Sequence, residues 1–237
     1  MKNLYSDILS AKAKSEKLLA ILLDPDKIDW DNLNALISKI CESPATHIFI
    51  GGSRVFTDRI DELIVEIKDH CELPIVLFPG NPSQISHHAD GILFLSLLSG
   101  RNPDFLIGHH VKAASELQRS NLEIIPTGYI LVESGSETAV AKVSGTQPLS
   151  DENEIVSTSL AGQMLGKKLI YLEAGSGAKN AVSAQVIQSV SEHLEIPLIV
   201  GGGIRSQSGI KTAHENGADL VVIGTAFEND QNFFERD

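Results

Sequence analysis

The sequence predicts an α/β protein folded as one (β/α)8 barrel spanning residues 1–237, and three observations predict it. The length of 237 residues suits a single barrel. Short apolar runs recur eight times without polar alternation, as in parallel strands covered on both faces. Longer amphipathic stretches separate most of the runs, giving the βαβ rhythm of a parallel sheet.

In chain order, the candidate strands are 18–23, 46–50, 74–78, 91–95, 123–126, 168–172, 197–200 and 219–223. Helix-like segments are 30–41, 59–70, 105–119, 154–165, 184–194 and 209–216, with Asp29 and Asp58 placed as N-caps. Asn81-Pro82 predicts a further Pro-started helix after the third strand. An open doubly wound sheet is the alternative, but no GxGxxG follows the first strand. No linker or low-complexity tract divides the chain. The stretch 132–151 (VESGSETAVAKVSGTQPLSD) is rich in Ser, Gly and Thr, and reads either as a mobile surface loop or as a lid.

Composition narrows the function classes. A content of 42% hydrophobic and 21% charged residues supports a sizeable core rather than disorder. A formal net charge of −12 opposes nonspecific binding to nucleic acid or to an anionic membrane. Local anion binding through backbone amides remains open to such a chain. Cys41 and Cys71 form no disulfide framework or CxxC pair and read as buried small apolar groups, consistent with a cytoplasmic protein. The opening segment lacks an apolar signal core, and no run is long enough for a spanning helix.

Barrel enzymes carry their chemistry at the C-terminal ends of strands. The first strand ends in LLDPDK, where Asp24 is a candidate Mg2+ ligand or merely part of an Asp-Pro turn with Asp26. The second ends in GGS, with Ser53 offering an oxygen, and the third in PGN. The sixth runs into Glu173 and then five small residues, Ala174, Gly175, Ser176, Gly177 and Ala178. Exposed amides in such a run can cradle an oxyanion, and Glu173 is a candidate general base. Gly201, Gly202 and Gly203 end the seventh strand; Gly224 and Thr225 end the eighth. These two tips are where barrels commonly bind phosphate, and a short helix starting near Thr225 would direct its positive end there. The adjacent pairs His87-His88 and His109-His110 lack zinc spacing, and ESGSE is not a nucleophile elbow.

Taken together, LLDPDK, IFIGGSRV, LFPGNPSQIS, IIPTGYILVESGSETAV, YLEAGSGA, GGGIRS and VVIGTAFE resemble the geranylgeranylglyceryl phosphate synthase family over nearly the whole chain. The related heptaprenylglyceryl phosphate synthases have a basic residue where this chain has Leu22, and the YLEAGSGA form and the ESGSETAV segment are closer to the archaeal-type branch. It implies ether formation between a polyprenyl diphosphate and the C3 hydroxyl of sn-glycerol 1-phosphate, with loss of diphosphate. Carried across, Asp24 and Ser53 would bind Mg2+. Tyr171, Leu172, Glu173, Ala174, Gly175, Ser176, Gly177 and Ala178, with Gly202, Gly203, Gly224 and Thr225, would hold the glycerol phosphate. Glu173 would take the hydroxyl proton or orient the acceptor. The stretch 91–108 with Tyr129 would line an isoprenoid groove, or would simply be core. A lipid-like substrate implies peripheral membrane contact, and a homo-oligomer, dimer or higher, is expected. The competing expectations are a sugar-phosphate isomerase or aldolase, a flavin-binding barrel, and a noncatalytic scaffold.

Overall fold

The computed structural model describes residues 3–235, so residues 1–2 and 236–237 of the expected domain lie outside the described residues. Helix α1 (Leu4–Ala13) precedes β1 (Leu18–Leu23). Then follow α2 (Leu33–Glu42), β2 (His47–Ile50), α3 (Ile60–His70), β3 (Ile75–Leu77), β4 (Gly91–Leu97) and α4 (His109–Arg119). The second half comprises β5 (Glu123–Leu131), α5 (Ala139–Ser144), α6 (Glu152–Met164), β6 (Leu169–Glu173), α7 (Ala184–His193), β7 (Leu198–Gly201), α8 (Gln207–Glu215), β8 (Leu220–Ile223) and α9 (Thr225–Asn229). The eight strands are parallel and close in sequence order, with β8 pairing back on β1 through Leu18↔Leu220 and Ile21↔Ile223.

Two apolar layers explain why the strands lack polar alternation. Ala20, Phe49, Val76, Leu93, Ile125, Tyr171, Ile199 and Val222 pack inside the barrel. Their neighbours Leu19, Ile21, Ile48, Ile50, Ile170, Leu172, Val200 and Val221 pack outward against the helices. Each strand residue therefore meets apolar side chains whichever way it points.

Helix α1 was not among the expected elements. Its Leu4 and Ile8 join the interior layer, so the helix plugs the end of the barrel where the strands begin. Glu123, at the start of β5, accepts hydrogen bonds from the Leu4 and Tyr5 N–H groups at 2.5 and 3.0 Å. That carboxylate satisfies two of the unpaired donors at the helix start. Strand β5 runs five residues beyond its expected end at Pro126, because a proline without an N–H still offers its carbonyl, which accepts from Lys168 at 2.7 Å.

Capping differs in one place. Asp29 accepts from the Asp31 N–H and starts the 3-10 turn Trp30–Asn32 that leads into α2. Asp58 does not cap α3; Arg59 holds the N-cap position without a side-chain bond. Helix α4 begins one turn later than expected, behind the π-turn Asp104–Gly108. Cys71 is buried, but Cys41 is exposed near the end of α2.

Two departures shape the mouth. After β3, the expected Pro-started helix is only the 3-10 turn Pro82–Gln84, capped by Asn81. The Gln84 side chain turns inward and ties neighbouring loops together instead of extending a helix. The barrel wall therefore lacks a helical cover between β3 and β4. The Ser/Gly-rich stretch 132–151 is folded: Val132 bridges to Leu149, Thr138 caps α5, and Gly145 ends it with φ at 65°.

Candidate active site at the barrel mouth

The first three strand tips form one braced ledge. Asp24 follows β1 and receives the Asp26 N–H on Oδ1 at 3.2 Å. Its Oδ2 lies 3.2 Å from the Lys27 ammonium, which also contacts Glu228 of α9 at 3.1 Å. Burial works to lower the Lys27 pKa, but the Glu228 and Asp24 carboxylates outweigh it and hold the ammonium above its usual value. Asp26 takes a different part. Its carboxylate accepts the N–H groups of Phe56 and Thr57 at 2.9 and 2.8 Å, pinning the β2 loop. Gln84 accepts from Gly52 and Gly80 at 3.3 and 3.2 Å and donates to the Gly52 carbonyl at 3.0 Å. Ser53 is thereby held between two fixed loops.

Strand β6 delivers Glu173 into the barrel, 5% exposed. Gly175 donates its N–H to Glu173 Oε1 at 2.6 Å. Burial raises the Glu173 pKa to about 7; the Gly175 N–H and the nearby Tyr171 and Tyr129 hydroxyls only partly offset it. Both phenols are pushed well above their usual value, by burial first and by Glu173 next. They remain neutral donors at any working pH. The Tyr171 hydroxyl is buried without a hydrogen-bond partner among the described residues. A buried carboxyl poised near neutrality beside neutral phenols can accept a proton or orient a hydroxyl.

Backbone conformation makes room for this carboxylate. Gly202 directly follows β7 with φ at 81°, and a Cβ there would collide with Glu173 Oε1. Gly175, with φ at 103°, admits the Thr138 methyl of the 132–151 stretch in the same way. These two glycines serve protein packing as well as ligand approach.

A polar cavity of about 310 Å³ gathers most of the expected residues. Asp24, Ser53, Tyr171, Glu173, Gly175, Ser176, Gly177, Gly202, Gly203, Gly224 and Thr225 all line it. Leu172, Ala174 and Ala178 do not. Their side chains are buried in the layer between sheet and helices, and the Ala174 and Ala178 N–H groups donate to the Gly201 and Gly175 carbonyls. Helix α9 starts at Thr225, where the first N–H groups of a helix lack intrahelical partners.

A second, apolar cavity of about 90 Å³, continuous with an open groove, leads off the same mouth. It passes Phe78, Leu93, Phe94, Leu95, Leu97 and Phe105 and reaches Ala113 and Leu117, running past β4 along α4 where the helical cover is missing. Six residues line both cavities: Gly52, Ser53, Phe78, Tyr129, Val140 and Val143. The last two come from α5, so the 132–151 stretch covers the junction.

Sequence reasoning missed Lys27, Gln84, Glu228 and Val143. Glu228 was detectable in principle as a carboxylate one turn into the helix after β8. Gln84 carried no signal, since its role depends on the turn that replaces a helix.

The PcrB family model matches residues 11–236. The chain belongs to the PcrB family. Similar relatives include the geranylgeranylglyceryl phosphate synthase of Flavobacterium johnsoniae, 60% identical over 99% of this chain and 98% of that protein. The enzyme of the same name from Zunongwangia profunda is 52% identical over 97% of this chain and 98% of that protein. Among solved structures, the (S)-3-O-geranylgeranylglyceryl phosphate synthase of Thermoplasma acidophilum, in complex with its substrate sn-glycerol-1-phosphate, superposes with a TM-score of 0.92. It is 34% identical, with 99% of this chain and 95% of that chain covered. A mutant tryptophan synthase α-subunit from Pyrococcus furiosus, 15% identical with a TM-score of 0.59 over 92% of this chain and 93% of that chain, shares the barrel alone. No helix among the described residues is long and apolar enough to cross a membrane.

Proposed function

We propose that this PcrB-family chain is a geranylgeranylglyceryl phosphate synthase, a prenyltransferase of ether phospholipid biosynthesis. It joins the C3 oxygen of sn-glycerol 1-phosphate to C1 of geranylgeranyl diphosphate and releases diphosphate. The carrying observation is the junction at Ser53, Phe78 and Tyr129, where a polar cavity holding Glu173 meets an apolar groove. A sugar-phosphate isomerase would have no use for that groove.

In this reading the acceptor phosphate sits against Ser176, Gly177, Gly203, Gly224 and Thr225, which line the polar cavity at the tips of β6, β7 and β8. Glu173 accepts the C3 hydroxyl proton as the new bond forms, and the Tyr171 hydroxyl beside it, unpartnered among the described residues, is free to donate to the acceptor. The prenyl tail lies along β4 and α4, which excludes water from the reacting carbon. The oxygen donors of Asp24, Ser53 and Glu228 suit Mg2+, and the Lys27 ammonium held between Asp24 and Glu228 marks this corner as one that attracts cations. Bound there, Mg2+ would stabilise the negative charge on the departing diphosphate. Asp24 and Ser53 are the proposed protein ligands.

The same reading places the enzyme in the cytoplasm, as a homo-oligomer that meets membranes peripherally. Ile107 and Val111, 58% and 69% exposed beside the groove, supply an apolar face for either contact. The test is to incubate the protein with labelled sn-glycerol 1-phosphate, Mg2+ and prenyl diphosphates of several lengths, then extract into organic solvent. Extractable label with geranylgeranyl diphosphate supports the assignment; label that stays in water with every donor ends it.

A further inference from the structure

Four cationic side chains line the polar cavity in a chain of net charge −12: Lys27, Arg54, Lys142 and Arg205. Three of them are committed. Lys27 lies between Asp24 and Glu228. Lys142 pairs with Glu137 at 3.2 Å. Arg205 donates to the carbonyls of Ala178 and Lys179 at 2.6 and 3.3 Å. Arg54 makes no hydrogen bond or ion pair among the described residues.

Its position is fixed although its side chain is exposed. Arg54 directly follows Ser53, which lies where the two cavities meet. The loop carrying it is anchored on one side by Gln84 at Gly52 and on the other by Asp26 at Phe56 and Thr57. A loop braced at both flanks fixes the backbone of residue 54, so ligand binding has only the arginine side chain left to order. The electrostatics of the corner call for such a group. Asp24 and Glu228 outnumber the single Lys27 ammonium there, and a donor diphosphate brings further negative charge into the same place.

We propose that Arg54 is a catalytic residue that binds the diphosphate of the prenyl donor and stabilises it as it leaves. This rests on the transferase reading and adds a residue to it. As the C3 oxygen of the acceptor bonds to C1 of the prenyl chain, the C1–O bond to diphosphate breaks and its electron pair goes to the diphosphate. The hydroxyl proton passes to Glu173. The planar guanidinium can grip two phosphate oxygens at once, which suits it to a charge that grows during bond cleavage. The acceptor phosphate, at the β7 and β8 tips, does not depend on it.

The test compares Arg54→Gln and Arg54→Lys with the wild type, using Arg119→Gln at the far end of α4 as a control for net charge. Arg54→Gln lowers kcat and raises the KM for geranylgeranyl diphosphate, each about 10- to 100-fold, weakens inhibition by inorganic pyrophosphate by a similar factor, and leaves the KM for glycerol 1-phosphate unchanged. Arg54→Lys recovers part of the loss, and Arg119→Gln changes nothing. Calorimetric titration of inorganic pyrophosphate with Mg2+ into wild type and Arg54→Gln gives a readout independent of turnover. An unchanged pyrophosphate affinity in Arg54→Gln, or a loss confined to glycerol 1-phosphate, overturns the proposal. A wild-type protein that binds pyrophosphate through Arg54 but makes no lipid would instead overturn the transferase reading.

Discussion

Gly202 leaves the space that the Glu173 carboxylate fills: a Cβ at residue 202 would overlap Glu173 Oε1, and the backbone there already has φ at 81°. The tip of β7 thus sets the position of the acid delivered by β6. Gly202→Ala should displace Glu173 and cut turnover at least 100-fold. It should also lower stability by roughly 1–2 kcal/mol from the left-handed backbone alone. Thermal melts and steady-state rates on the same preparation measure both effects.

Glu173 gives a signed pH dependence. Its folded-state pKa of about 7 lies above the ordinary carboxyl value of 4.5 because burial disfavours the charged form. Turnover should therefore rise as pH increases through about 7, where the base becomes ionised. Stability should run the opposite way. A raised pKa means that stability present below 4.5 is lost as pH climbs to about 7, on the order of 3 kcal/mol at ~1.4 kcal/mol per unit. Glu173→Gln should flatten that part of the stability curve while removing activity. Denaturant titrations across this pH range provide the comparison.

Asp24 carries charge at the mouth without supporting the core. Asp24→Ala should lose activity about 100-fold or more at every Mg2+ concentration, while its melting temperature stays within a few degrees of wild type. Retained activity with an unaltered Mg2+ dependence would count against its part in holding the metal.

Asp26 should behave differently from its neighbour. It bonds to the Phe56 and Thr57 N–H groups rather than facing the cavity. Asp26→Ala should cost roughly 1 kcal/mol of stability and raise the KM for the prenyl donor more than that for glycerol 1-phosphate. Equal changes in both KM values would show that the β2 loop does not serve the donor side in particular.

Ala113, 5% exposed on α4, lies toward the deep end of the apolar groove. Ala113→Phe should shorten the groove, so that kcat/KM falls for geranylgeranyl diphosphate and holds for the shorter geranyl diphosphate. Parallel losses for both donors would mean that the tail runs elsewhere.

The barrel was legible because each strand is apolar on both faces and because glycines close β7 and β8. Asp24, Glu173 and the terminal glycines were legible for a related reason: strand ends in such a fold converge on one mouth. The groove was only half visible. Leu, Ile and Phe in 91–108 look the same whether they line a channel or fill a core, and only the missing helix between β3 and β4 decides. Gln84 and Glu228 depend on contacts across 32 and 204 residues of sequence, which local spacing does not reveal. Helix α1 escaped notice because its apolar residues are not confined to one face, and its place is set by the Glu123 carboxylate more than 100 residues away.

A crystal structure with sn-glycerol 1-phosphate and an unreactive thiodiphosphate analogue of the donor would measure where the reacting atoms stand. The acceptor C3 oxygen is expected within about 3.5 Å of the Glu173 carboxylate, its phosphate at Gly203 and Thr225, and the donor C1 beside Ser53 and Tyr129. A phosphate bound away from those tips, or a tail lying outside the β4–α4 groove, would contradict this placement.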